Sequence, residues 1–239
     1  MSTLIVVRHG ESNFNRANKF AGWLNSGLSK KGEQEAVFAG KLLKKQKLKI
    51  HFFYTSLQQR AISTLKLILN ILRIKNVEII KAHAFNERMY GELQGLSKSR
   101  MSKLLGSKRV HALRRSFSTR PKPLNRRSRL HPRNMKIYNK IPRSQIPDAE
   151  SLRDCLFRCL PYFRKNILSK LKDKKNIIIS AHGNSIRALF KFLFKLNSKE
   201  IEQLNIVTGN PIILKFNSKN KIVKVHYLDK KRKADLIAF

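Results

Sequence analysis

The chain has 239 residues, 41% of them hydrophobic, and carries 52 Lys and Arg against 14 Asp and Glu, a formal charge of +38. That length suits one domain with a sizeable core, expected here as a single unit over 1–239. No apolar run is long enough to cross a bilayer, and the N-terminus leads into a strand without a signal peptide's basic region and apolar core, so a cytoplasmic location and no membrane partner are expected.

Four β-favouring apolar residues, Leu4–Val7, read as a short buried strand, with Arg8, His9 and Gly10 at its exit. Open α/β sheets bind ligands at that end of their strands. An imidazole there suits nucleophilic attack on a phosphoryl group, with Arg8 holding phosphate oxygens and Gly10 allowing close backbone approach. A surface histidine after an edge strand is the plainer reading of the tripeptide alone. The next segment, with Gly22 and Gly27, reads as a loop near the site, and Ser29 is a candidate N-cap. Ala36, Val37, Ala39, Gly40, Leu42 and Leu43 predict a helix from Lys30 to about Leu48, followed by a strand and exit turn in HFFYTS at 51–56. Arg60 opens a further helix to about Leu72, with Ile62, Leu65, Leu69 and Leu72 as its buried stripe. Its guanidinium is expected at the same edge as Arg8 and His9.

Val77–Ile80 reads as another strand. Beyond it Glu87, a carboxylate set between groups of bases, suits general acid and base work; a salt bridge to a neighbouring base is the alternative. From 93 to 147 the chain has no acidic residue and sixteen basic ones, and reads as an insertion between strands. Lys98–Leu105 and Lys108–Phe117 are its helical pieces. The proline-containing stretch after Arg120 is an extended loop, long enough for a lid. Arg114 and Arg115 are placed to clamp a carboxylate or phosphate, although helix neighbours diverge and one of them faces the ligand directly. Such a basic segment alone would suit a nucleic-acid-binding arm. No helix-turn-helix, zinc-finger or RNP-type motif accompanies it, and Lys, Ile, Asn and Phe are frequent throughout, as from an A/T-rich coding sequence. The expectation is a solvated basic face and no specific nucleic-acid partner.

Glu150–Leu171 predicts a long helix with Leu152, Leu156, Cys159, Leu160 and Phe163 on its core face and a kink at Pro161. Cys155 and Cys159, four apart, share one helix face and read as structural thiols; a metal pair would need His or Cys partners that the neighbouring sequence lacks. Ile177–Ile179 reads as a central strand, and His182-Gly183-Asn184 turns into a helix starting near Ser185. Backbone N–H groups at such a turn favour an anion, and His182 can donate to a phosphoryl group; a structural cap is the alternative. A helix at Ser198–Leu204, strands at Ile212–Phe216 and Lys224–Leu228, and a short basic end at Phe239 complete the chain. Alternating strands and helices with a closing antiparallel pair predict a mostly parallel three-layer α/β/α sandwich, with the 93–147 insertion over the site.

Taken together, RHGES at 8–12, YTS with Arg60, ERMYGELQGLSK at 87–98, RRSF at 114–117, ESL at 150–152 and AHGNS at 181–185 resemble the 2,3-bisphosphoglycerate-dependent phosphoglycerate mutases of the histidine phosphatase superfamily. The resemblance implies His9 as the phosphorylated nucleophile, Glu87 as proton donor and acceptor, His182 as stabiliser of the transferring phosphoryl group, and Arg8 and Arg60 as the phosphate clamp. It implies substrate contacts along Gly10, Glu11, Ser12, Asn13, Phe14 and Asn15, at Ala21 and Gly22, at Arg88, Met89 and Tyr90, and at Lys98, Arg114, Arg115, Gly183 and Asn184. The implied reaction interconverts 3-phosphoglycerate and 2-phosphoglycerate, a small anionic substrate, with 2,3-bisphosphoglycerate priming the histidine, no metal, and a homodimer or homotetramer as the working form.

Two positions depart from the pattern: Met89 stands where the family usually has histidine, and Ala21 where it often has threonine. The family commonly extends into a closing segment beyond the point where this chain stops, so greater access of water to the phosphohistidine is expected. A phosphatase of another small phosphate ester, and a basic binding protein on the same scaffold, are the alternative readings.

Overall fold

The computed structural model describes residues 1–234; the end of the tail, on which the expectation of weak closure falls, lies outside the described residues. At its centre, β1 (Ser2–Arg8) and β4 (Ile177–Ala181) run parallel, in register from Leu4 opposite Ile177 to Arg8 opposite Ala181. On the far side of β4 lie β2 (Phe52–Thr55) and then β3 (Ile79–Lys81), both parallel. On the other side of β1, β5 (Ile212–Phe216) and β6 (Ile222–Tyr227) add as an antiparallel pair. The order is β3-β2-β4-β1-β5-β6.

Unbroken apolar runs bury both faces of such a sheet, because side chains alternate along a strand. Leu4, Val6, Ile177, Ile179, Ile212 and Leu214 enter one core with α6 (Leu152–Phe163) and α8 (Gly183–Leu193). Ile5, Val7, Ile178 and Ile213 enter the other with α2 (Lys30–Lys45) and α3 (Gln59–Leu72). Each fully buried Ile or Leu contributes roughly 1.5–3 kcal/mol, so the two cores fix the register of every strand against a one-residue slip. The result is the expected three-layer α/β/α sandwich.

Local chemistry sets the helix starts. Ser29 accepts from the Gly32 N–H and opens α2, and Ser151 forms a reciprocal capping box with Asp154 at α6. Ser12 and Asn15 do the same for a one-turn helix, α1 (Asn13–Arg16), absent from the sequence reading. Strand β3 begins two residues later than Val77, which is exposed. Pro161 lies within α6, where it cannot donate to the preceding turn; the helix passes into a π turn, Arg164–Leu168, and then α7 (Ser169–Lys172).

The insertion folds as α4 (Lys98–Leu105) and α5 (Ser107–Arg115), separated by Gly106 at a φ of 80°, then an irregular chain with isolated 3-10 turns. Tyr138 anchors that chain against Trp23, whose carbonyl accepts its hydroxyl at 2.5 Å. Asp148 and Asp154, just past the acid-free stretch, pair with Arg126 and Arg120. Helix α9 (Ser198–Gln203) leads back to the sheet. No helix of the described residues is long and apolar enough to cross a membrane.

Candidate active site

Adjacent parallel strands end together, and that places two histidines face to face. The pairing of Arg8 with Ala181 is extended one step by the His9 N–H donating to the Ala181 carbonyl at 2.9 Å. The next side chains, His9 and His182, therefore meet, ring centroids 4.9 Å apart and planes at 60°. Both are buried, at 3% and 0% exposure.

Their ring nitrogens have different partners. His9 Nδ1 lies 2.7 Å from the Gly10 carbonyl, which can only accept, so Nδ1 carries the proton and Nε2 keeps its lone pair. His182 Nε2 lies 2.8 Å from Ser56 Oγ, which already accepts from the Gln58 N–H. Within the described residues the Ser56 hydroxyl hydrogen has Nε2 as its acceptor, and a hydroxyl donating there puts the His182 proton on Nδ1, an atom buried without a partner. Burial pushes both imidazoles well below their usual pKa, and Arg60 and Arg8 add to the effect; for His182, His9 and Arg158 contribute as well. A neutral nucleophile thus faces a neutral donor.

Arg60, 1% exposed, donates to the Leu24 and Gly22 carbonyls at 2.9 and 3.0 Å. Arg8 donates to the Ile206 carbonyl at 2.6 Å. The Nε atoms of both arginines are buried and unpartnered. Glu87 Oε1 accepts from the backbone N–H groups of Arg88 and Asn184, at 2.8 and 3.2 Å, and so is tied to the start of α8 beside His182. Gln58 joins the two sides, accepting from the Glu87 N–H and donating to the Gly22 carbonyl, each at 2.8 Å.

The cleft beside these groups encloses about 190 Å³. Six cations line it, Arg8, Lys19, Lys98, Arg114, Arg115 and Arg187, with Glu87 as the acidic member of the wall. Burial first, and their like-charged neighbours second, hold Arg115 and Arg187 below the usual guanidinium range, Arg187 at about 9. Burial likewise lowers Arg8 and Lys98. Cations concentrated in this way lack a counter-charge, which a polyanionic ligand would supply.

The sequence-derived residues separate into groups. Asn15, Ala21, Gly22, Tyr90, Gly183 and Asn184 reach the cleft wall together with Arg8, Glu87, Lys98, Arg114 and Arg115. His9, Arg60 and His182 are buried next to that wall. Tyr90 accepts from Asn184 Nδ2 at 3.1 Å, and its ring carries the Arg88 guanidinium at 4.6 Å. Burial raises the Tyr90 hydroxyl's pKa, but Arg88 and the hydrogen bonds outweigh it and the net direction is down.

Several side chains are not on the wall. Arg88 is fully buried behind it, donating to the Leu113 and Arg114 carbonyls and so fixing the end of α5. Met89 is fully buried in an apolar cluster with Trp23, Tyr138 and Ile146, the environment a thioether prefers, so its departure from histidine changes core packing and not the cleft. Glu11 turns away to Ser29 and Lys31, Ser12 caps α1, and Asn13 and Phe14 lie on that short helix outside the wall. Gly10 does permit a close approach, but of protein: a Cβ there would lie 2.1 Å from the Gly32 carbonyl oxygen.

Ser56, Gln58, Lys19 and Arg187 were not legible as site residues in the sequence. Ser56 and Gln58 lie just past β2, Lys19 in an isolated bridge to Ser97, and Arg187 in α8, each a single polar residue. Arg187, five residues beyond His182, carried a faint signal, an arginine set within the apolar run Ile186, Ala188, Leu189 and Phe190.

The family model of the histidine phosphatase superfamily (branch 1) matches residues 4–145 and 128–229. A 2,3-bisphosphoglycerate-dependent phosphoglycerate mutase of Pelagibacter ubique is 48% identical over 239 residues, all of both chains. One of Hamiltonella defensa is 44% identical over 94% of this chain and 90% of its own. Among solved structures, a mycobacterial glucosyl-3-phosphoglycerate phosphatase superposes with a TM-score of 0.69 at 21% identity, covering 94% of this chain and 96% of its own. The alpha-ribazole phosphatase of Shigella flexneri gives 0.67 at 17%, covering 93% and 95%. At those identities the solved structures share the fold. With end-to-end identity of this order to the mutases, the chain belongs to the histidine phosphatase superfamily, in the family of the 2,3-bisphosphoglycerate-dependent phosphoglycerate mutases.

Proposed function

We propose that the chain interconverts 3-phosphoglycerate and 2-phosphoglycerate through a phosphohistidine at His9 Nε2. The observation that carries this reading is the pairing of a neutral His9, lone pair free, with a His182 N–H at one end of a cleft lined by six cations and Glu87. In the forward step the N–P bond at His9 breaks as the substrate hydroxyl forms an O–P bond, and Glu87 takes the hydroxyl proton. In the return step His9 accepts the other phosphoryl group and Glu87 gives the proton to the departing oxygen. Arg8 and Arg60, each with a buried Nε–H that has no partner in the chain, and the likewise unpartnered His182 Nδ1–H stabilise charge on the phosphoryl oxygens.

The cluster of under-compensated cations fits 2,3-bisphosphoglycerate, which Arg8, Lys98, Arg114 and Arg115 would hold; as primer it supplies the phosphoryl group that first loads His9. A cytoplasmic enzyme working as a homodimer or homotetramer without a metal belongs to the same proposal. The His9 chemistry would also serve a phosphatase, so the cations of the insertion carry the distinction. An enolase-coupled assay with and without the bisphosphate, run beside detection of acid-labile phosphate on His9, tests the proposal. Bisphosphate-dependent formation of 2-phosphoglycerate is expected; net release of inorganic phosphate without isomerisation would assign a phosphatase instead.

A further inference from the structure

Arg187 sits in α8 at 3% exposure, yet it reaches the cleft wall. Its guanidinium donates to Asn184 Oδ1 at 3.0 Å, to the Arg115 carbonyl at 2.8 Å and to the Ile201 carbonyl. All three acceptors are neutral, and Nε–H is buried with no partner. The contrast with Arg158 is instructive. That arginine, also largely buried, holds Glu150 at 2.7 Å and has its counter-charge within the chain. Arg187 has Arg115 and Arg88 as its strongest charged influences, both repulsive, with Glu87 and Tyr90 opposing them more weakly.

A buried cation without a carboxylate is costly to the fold unless something else compensates it. The cations that the insertion brings to the cleft, Lys98, Arg114 and Arg115, are partly exposed and screened by solvent. Arg187 is held by groups from α8, from the end of α5 and from α9, so its charge is preorganised and desolvated, the condition under which a charge discriminates best between ligands.

We infer that Arg187 is a specificity-determining residue, receiving the anionic group of the ligand that lies away from the phosphoryl group at His9, a carboxylate in a phosphoglycerate. The inference rests on the proposed function for the identity of the ligand. The burial and the neutral partners of the guanidinium stand apart from it.

The test measures binding of two ligands to the full chain by calorimetry: 3-phosphoglycerate, and glycerol 3-phosphate, which keeps the phosphate and lacks the carboxylate. Wild-type protein is compared with R187M and R187K, with thermal melts to establish that each is folded. Wild type should prefer 3-phosphoglycerate. R187M should weaken that ligand by about tenfold and leave glycerol 3-phosphate within about twofold, the loss of one charge-assisted contact. R187K, retaining charge without the forked contacts, should keep most of the preference, and carries the test if R187M is unfolded. Equal weakening of both ligands, equal behaviour of the two variants when both fold, loss of the preference in R187K, or a wild type without preference would overturn the inference. A wild type that prefers 3-phosphoglycerate but does not isomerise it would sink the proposed reaction and leave the role of Arg187 standing.

Discussion

His9 and His182 present opposite chemistry to the gap between them. Their rings lie 4.9 Å apart at 60°, and the Gly10 carbonyl and the Ser56 hydroxyl hold both in the Nδ1–H tautomer but by different nitrogens, which leaves a free lone pair at His9 Nε2 and a free N–H at His182 Nδ1. Sheet pairing supplies the proximity, and two short hydrogen bonds supply the asymmetry.

Because burial, Arg60 and Arg8 hold His9 well below the ordinary 6.5, its nucleophilic form persists into mildly acidic solution. An ordinary imidazole would lose about tenfold of its neutral fraction one pH unit below its pKa. Single-turnover phosphorylation of His9, followed by rapid quench between pH 7.5 and 5.5, should instead decline by less than about threefold from loss of the nucleophile. An acid limb centred near 6.5 that is insensitive to the choice of phosphoryl donor would contradict this.

The same two histidines couple stability to pH. Their folded pKa values are depressed, so the unfolded chain binds more protons below 6.5 and the native state loses stability as pH falls through that region towards the folded pKa. Above 6.5 their contribution is fully present. Urea midpoints should therefore fall between pH 7 and 5.5, and the fall should be shallower in a His182→Gln protein. His83, His131 and His226 are also lowered and contribute in the same direction, so the slope should shrink without vanishing.

Ser56→Ala removes the donor that fixes the His182 tautomer. Loss of one preorganised donor at a transition state costs roughly 10²–10³ in kcat; here the ring remains, so a loss of about 10- to 100-fold in kcat with KM changed by less than about threefold is expected. Ser56→Thr, which keeps the hydroxyl, should recover most of it. Nitrogen-15 shifts of His182 separate this role from a structural one: the wild-type ring should show a protonated Nδ1, and the alanine variant a mixture of tautomers.

The parts of the site carried by strand ends were readable because apolar runs declare their strands and the residue after each run must stand at the sheet's edge. His9 and His182 follow directly from Leu4–Val7 and Ile177–Ile179. Both sheet faces, and the helices that cover them, follow from the same runs. What escaped depends on tertiary placement. Gln58 bridges Glu87 and Gly22 only once β2 and the loop at 20–24 are packed together. Arg187 gains its meaning from the carbonyls of Arg115 and Ile201, which no local pattern announces. Met89 was expected at the site through the family resemblance; the segment there sends Glu87 and Tyr90 to the cleft wall and buries Arg88 and Met89 between them.

Glu150 and Arg158 brace that wall from behind. Glu150 accepts from the Met89 N–H at 2.8 Å and from Arg158, while Arg158 also donates to the carbonyls of His83, Ala84, Asn86 and Glu87. Removing one partner of a buried ion pair costs about 3–5 kcal/mol. Glu150→Ala should lower the melting temperature by about 10 °C, on a scale of roughly 2–4 °C per kcal/mol for a chain this size. It should also reduce kcat, because the segment carrying Glu87 loses its tether. A melting temperature within about 2 °C of wild type would show that the pair braces nothing.

Gly10 and Gly32 meet backbone to backbone where β1 ends beneath α2. A Cβ on Gly10 would lie 2.1 Å from the Gly32 oxygen and 2.8 Å from its carbonyl carbon, and a Cβ on Gly32 would lie 2.0 Å from the Glu11 oxygen. No rotamer relieves a clash with backbone, so Gly10→Ala must push α2 away from the strand. That movement also strains the bond from the Gly10 N–H to Thr64 Oγ1, now 3.1 Å, through which α3 holds the residue after the nucleophile. A loss of more than about 3 kcal/mol is expected, in the range of disrupted core packing. Gly27 is the matched control: a Cβ there meets nothing within 4 Å, and Gly27→Ala should change stability by less than about 0.5 kcal/mol. Denaturant midpoints of the two variants should differ accordingly; a Gly10→Ala protein as stable as Gly27→Ala would mean that α2 can move off β1 without loss.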